Sequence, residues 1–184
     1  MISRDQALSD VKKNLKNKNL QKHVLAVEAV MRSLARKFGE DEERWAMAGL
    51  LHDLDYESTK DDPATHSLES AQMVQQMGLD KEIVDAVRSH NEYHGLPRDT
   101  LMAKALYAAD PLTGLIVAAA LVSPEKKLGA IDAEFVMKRF GEKAFARGAN
   151  RETIKACSEL GLELDEFIDV GVRAMQKISK ELGL

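Results

Sequence analysis

An imidazole and a carboxylate stand side by side at His52-Asp53, directly behind the apolar run Ala46-Met47-Ala48-Gly49-Leu50-Leu51. Two ligand-type groups are thereby carried toward a core, where polar atoms need partners. A divalent ion would satisfy both at once, because neutral imidazole and carboxylate together suit Zn, Fe, Mn, Co or Ni. An adjacent His-Asp pair also serves as a surface or capping pair, so the chemistry depends on what else the chain sends to the same place. The candidates are His23, His66, His90 and Asp110, with His94 one helical turn after His90. Taken singly, each has a structural reading: a core histidine bonded to a carbonyl, an exposed histidine in a first helical turn, or a capping aspartate. Taken together they demand a row of separate coincidences, which a shared metal site replaces with one cause.

The elements that must position these groups read as helices. Ser3-x-x-Gln6 is a capping box that opens a helix with Ala7, Leu8, Val11 and Leu15 on one face. A second runs from about Leu20 to Phe38, with His23, Val27, Val30, Met31 and Leu34 in register and Gly39 as its terminator. Asp41 caps a third, in which Trp45, Ala48, Gly49 and His52 share a face. After the polar stretch 56–65, Asp62-Pro63 is expected to start a helix that holds His66 in its first turn and stops at Gly78. Asp80 caps the helix of Ile83, Ala86, Val87 and His90. A long helix from Asp99 or Thr100 then aligns Ala103, Leu106 and Asp110, and Pro111 should kink or restart it, with Asp110 as a possible cap of the second half. Asp132, Asn150 and Asp165 cap three more. No alternating strand run with hairpin chemistry occurs. The fold class is therefore all-α, an irregular multi-helix bundle in a single domain over 1–184, with a metal-binding core over 18–122 and a C-terminal helical extension over 123–184.

Composition narrows the function classes. The chain has 184 residues, 45% hydrophobic and 30% charged, the profile of an ordinary globular protein. A net charge of −4 argues against general nucleic-acid binding and leaves a small anionic substrate open. The single cysteine, Cys157, forms no internal disulfide and reads as a small core residue, and the N-terminal residues lack the apolar segment of a signal peptide, so the expected location is cytoplasmic. The most apolar run, 103–122, contains Lys104, Asp110 and Pro111, which favours a core helix over a membrane span.

The order His23, His52-Asp53, His66, His90, Asp110, with Ala105-Leu106-Tyr107-Ala108-Ala109 leading into the last, resembles the HD-domain superfamily of metal-dependent phosphohydrolases, in the branch with two metals. The likeness runs from His23 to about Leu115. It implies that His23, His52, Asp53 and Asp110 hold a first ion, and that Asp53 bridges to a second held by His66 and His90, with His94 or water completing it. The cofactor would be one or two divalent ions among Mn, Fe, Co, Ni, Zn and Mg. Two ions about 3.5–4 Å apart can share a hydroxide as nucleophile and neutralise the attacking and leaving oxygens of a phosphoryl group. Asp53 and Asp110 would orient that hydroxide and so count as catalytic. Asp55, Glu69 and Glu92 are candidate acceptors for the outer N–H groups of the ligating rings. The sequence departs from many relatives at Leu54-Asp55-Tyr56, where they place an apolar residue, glycine and sometimes lysine. Without that lysine and without a glycine-tyrosine-proline signature, a cyclic dinucleotide is a poorer substrate.

For phosphate contacts, residues 126–155 carry eight basic residues against four acidic ones. Lys143 and Arg147, spaced as one helical turn, and Lys104 on the long helix are the candidates singled out. The implied function is a phosphohydrolase acting on a nucleotide or other small phosphorylated metabolite, with no nucleic-acid or membrane partner and a homodimer as one possible assembly. The competing readings are a regulatory module that keeps the metal without hydrolysis, and a structural bundle whose histidines are satisfied by carbonyls.

Overall fold

Helix boundaries follow the capping chemistry in the computed structural model, which describes residues 2–184. Ser3 and Gln6 bond reciprocally at the start of α1 (Arg4–Asn14). Asn17 caps α2 (Lys18–Phe38), which ends at Gly39 in the left-handed region, φ 73°. The Asp41 carboxylate accepts the N–H groups of Glu43 and Arg44 at the head of α3 (Glu42–Leu51). A short α4 (Tyr56–Thr59) precedes α5 (Leu68–Gln76) and the Asp80-capped α6 (Lys81–Ser89). Thr100 caps α7 (Leu101–Val122), Asp132 caps α8 (Ala133–Phe140), and Asn150 caps α9 (Arg151–Lys155). The chain closes with α10 (Leu164–Lys177) and α11 (Ser179–Leu182), and no strand occurs among the described residues.

The core is built around α7, which packs against α2, α6, α9 and α10. Its Leu106, Ala109, Leu112, Leu115 and Ile116 are fully buried, so it is apolar on more than one side, as a helix enclosed by others must be. By length and composition α7 could cross a membrane, but here it is the central helix of the bundle. α3 lies directly on α2: a Cβ built on Gly49 would stand 2.9 Å from both Glu28 N and Val27 O. Only a glycine permits that approach, and it brings the end of α3 against the middle of α2. Cys157 is buried as a core residue.

Four local expectations differ from the structure. The last long helix starts at Leu164 behind Glu163, so Asp165 lies in its first turn and does not cap it. Pro111 lies inside one unbroken α7 rather than restarting it, and Asp110 does not cap a second half. The helix after Pro63 begins only at Leu68, because Ser67 adopts φ 73°, so His66 sits in a turn ahead of the helix. Residues 141–149 form turns, not helix, so Lys143 and Arg147 are not stacked one turn apart.

Candidate metal centre

Three helix ends, one turn and the middle of a fourth helix converge on Asp53. α2 brings His23 from its first turns, the end of α3 brings His52 and Asp53, the turn before α5 brings His66, the end of α6 brings His90, and the middle of α7 brings Asp110. The two Asp53 oxygens face different histidine pairs. Oδ2 lies 3.6 Å from His23 Nε2 and 3.5 Å from His52 Nε2. Oδ1 lies 3.6 Å from His66 Nε2 and 3.4 Å from His90 Nε2. Asp110 Oδ1 joins the first pair, 3.0 Å from His23 Nε2 and 3.8 Å from His52 Nε2.

Each ring is held from behind by its other nitrogen. His52 Nδ1 donates to Gly49 O at 2.8 Å and His90 Nδ1 to Val87 O at 2.6 Å, both within the last turn of the preceding helix. His66 Nδ1 donates to Asp55 Oδ1 at 2.9 Å, and Asp55 is itself fixed by the Ser70 N–H and hydroxyl. Thr113 spends its own hydroxyl proton on the Asp110 carbonyl, so at 3.2 Å it accepts from His23 Nδ1. In the neutral rings, with every Nδ1 carrying the proton, all four Nε2 atoms turn lone pairs to the cluster. The Nε2 atoms of His52 and His90 are buried and have no hydrogen-bond partner. Buried polar atoms left in that state imply a missing partner, and the donor set of imidazole nitrogens and carboxylate oxygens fits a divalent cation. Ligand atoms of His23, His52 and Asp110 lie within 4.8 Å of one another, as do those of His52, Asp53 and His90.

The electrostatics point the same way. Burial alone would lower the His52 pKa, but the Asp53 and Asp110 carboxylates outweigh it and hold it up to about 9. Burial would raise Asp53 and Asp110; the facing histidines instead keep both below the usual carboxylate range. His66 is likewise raised against burial by its bond to Asp55 and the charge of Asp53. Without a metal, the cluster attracts protons into the place of a cation.

A cavity of about 460 Å³ opens over these groups, lined by His23, Asp53, Tyr56, His66 and Asp110 together with Ala146, Gly148 and Ala149. A second cleft continues from it past His90, Glu92 and Tyr107. The loop 141–149 thus roofs the site, and Arg151 shapes it by donating to the carbonyls of Phe140, Phe145, Ala146 and Ala149.

Residues 20–120 match the family model of the HD domain, more than half of the chain. The chain belongs to the HD domain family. Its place is therefore in the superfamily of metal-dependent phosphohydrolases, as the motif order implied. Among curated proteins it is similar to Ribonuclease Y of Oleidesulfovibrio alaskensis, 31% identical over 98 residues, 53% of this chain and 18% of that protein. Ribonuclease Y of Sulfurovum sp. is 30% identical over 137 residues, 73% of this chain and 26% of the relative. The chain thus spans about a fifth to a quarter of the length of these relatives.

The structure brings His23, His52, Asp53, His66, His90 and Asp110 together and leaves the other candidates outside. His94 Nε2 is directed at the His66 carbonyl, 2.9 Å away, and so steadies the turn instead of facing the cluster. Asn91 holds the same turn through the Pro63 and His66 carbonyls. Of the three candidate acceptors Asp55 takes the role, while Glu92 accepts from Tyr107 and Glu69 is exposed. Lys104, Lys143 and Arg147 are not among the residues lining either opening. Arg147 is exposed on the loop whose neighbours Ala146 and Gly148 face inward. Sequence reasoning missed Thr113 and Tyr56. Thr113 was findable, since it lies one turn after Asp110 on the same helix; Tyr56 carried no signal beyond its place near His52-Asp53.

Proposed function

We propose that this chain is a metal-dependent phosphohydrolase acting on a nucleotide or another small phosphorylated metabolite. The observation that carries the reading is the division of Asp53, one oxygen toward His23 and His52 and the other toward His66 and His90. Such a carboxylate suits a bridge between two ions, with Asp110 completing the first set. When bound, divalent ions in such a cluster supply positive charge to a phosphoryl oxygen and acidify water.

The chain's own residues do the rest. The bonds behind each ring fix the direction of the lone pairs, so ordering is spent before any ligand arrives. Asp53 and Asp110, kept ionised by the facing histidines, stay available as acceptors near neutral pH. The cavity over Asp53 and Asp110 gives a substrate access to the cluster, which favours catalysis over a closed regulatory site. Tyr56, lining that cavity, offers a phenol O–H as a donor to substrate oxygen.

The test is to load the purified protein with Mn, Fe, Co or Ni and offer phosphomonoesters, nucleotides and an oligoribonucleotide, the last because the matched relatives are named ribonucleases. Turnover that Asp53→Ala abolishes supports the reading. A flat response to every substrate with every metal would refute it.

A further inference from the structure

The walls of the cavity carry a charge pattern that the hydrolase reading alone does not explain. Among the described residues that line the two openings over Asp53 and Asp110, none is lysine or arginine; Lys22 lines a neighbouring cleft on the far side of His23 that does not reach Asp53. Of the nearby arginines, Arg147 is exposed on the 141–149 loop and lines neither opening, and the others are committed elsewhere. Arg151 serves four loop carbonyls, Arg98 lies 3.7 Å over the Tyr107 ring and donates to Ser89 O, and Arg139 pairs with Glu142. What the second cleft does present is a carboxylate: Glu92 is exposed there, held by the Tyr107 hydroxyl at 2.9 Å. Within these two openings, whatever ions the cluster holds are then the positive charge that a bound phosphate meets. A polyphosphate brings further anionic groups that need their own cations, and a polynucleotide needs a basic track along its backbone. Here those groups would meet neutral Ala146, Gly148 and Ala149 together with Glu92.

We propose that the site takes a small ester carrying a single phosphate group, a phosphomonoester, and selects against polyphosphates and polynucleotides. The inference rests on the phosphohydrolase reading and narrows its substrate class. The reaction is hydrolysis of the monoester: a water oxygen bonds to phosphorus, the ester P–O bond breaks, and the alcohol leaves with a proton, giving ROH and inorganic phosphate. Glu92 acts as a specificity-determining residue at the cleft, and Arg151 as a positioning residue for the roof.

The experiment compares adenosine 5′-monophosphate, adenosine 5′-triphosphate and a short oligoadenylate on the full chain with Mn²⁺ in excess. Product release is measured alongside equilibrium binding of each radiolabelled probe by dialysis. The monophosphate should exceed the other two by roughly tenfold in both kcat/KM and affinity, and Glu92→Lys should close most of that gap toward the triphosphate while Glu92→Gln closes less of it. Preference for the triphosphate or the oligoadenylate in either readout overturns the proposal, even with turnover intact. Selective binding of the monophosphate with no turnover of any probe would instead overturn the hydrolase reading and leave the selectivity standing. Failure to bind or turn over all three overturns both.

Discussion

Replacing Gly49 by alanine should loosen the metal cluster without touching a ligand. The glycine sits where α3 meets α2, and the new Cβ would stand 2.9 Å from the Glu28 nitrogen and the Val27 oxygen. Carbon contacts are comfortable at about 3.5–4.0 Å, so the helices must part by roughly half an ångström or more. The obstructing atoms are backbone and cannot rotate aside. Overpacking of this kind costs about 1–3 kcal/mol, whereas alanine in place of glycine inside a helix returns roughly 0.8–1 kcal/mol. The net should be a loss of up to about 2 kcal/mol. Because α2 carries His23, and α3 ends at His52-Asp53 with the Gly49 carbonyl holding the His52 ring, the separation acts directly on the distances within the cluster. Urea denaturation of the metal-free protein measures the stability term, and a competition titration with a chelator measures metal affinity. Both should fall. A variant as stable as the parent, with unchanged affinity, would show that α2 and α3 are not locked at this contact.

Asp53→Ala should leave the purified protein without bound metal, while His66→Ala should weaken only the His66/His90 half; elemental analysis after dialysis distinguishes the two, and full metal content in Asp53→Ala would sink the bridging role. Thr113→Val removes the acceptor behind His23, and metal affinity should drop on the order of tenfold, read by the same chelator competition, with the fold unchanged by circular dichroism. Metal-free protein should lose stability as pH rises from 6.5 to about 9, because the native His52 pKa stands above its unfolded value, so the contribution is complete below 6.5 and gone above 9. Denaturation midpoints at pH 6 and pH 9.5 test that sign, and saturation with metal, which takes the place of the proton, should remove the decline.

The donors of the cluster were legible in the chain because each lies at the end of an apolar stripe or beside a cap: His23 in register with Val27 and Val30, His90 after Ala86 and Val87, Asp110 after Ala103 and Leu106. Capping chemistry placed most helix starts for the same local reason, as Ser3, Asp41, Asp80, Thr100 and Asp132 show. What periodicity does not encode is direction across space. That the two oxygens of Asp53 point at different histidine pairs depends on the packing of α2, α3 and α6, which no single window contains. Ser67 misled because a left-handed serine is rare and has no signature, so the helix seemed to begin at Pro63. Charge counting over 126–155 misled in another way. It counted Arg151 among the cations, whereas that side chain is spent on loop carbonyls, and Arg147, though exposed on the loop, lines neither opening.

The roof over the cavity comes from beyond residue 120, where the match to the HD domain ends, and the cluster comes from within it. The donor atoms and Glu92 thus come from the matched stretch, while Ala146, Gly148 and Ala149 of the cavity lining come from outside it. A change of length or composition between Gly141 and Asn150 can exchange one clientele for another while every donor atom stays in place. An evolving gene, or an engineer, can therefore explore new substrates in a short surface loop and leave the reactive machinery undisturbed.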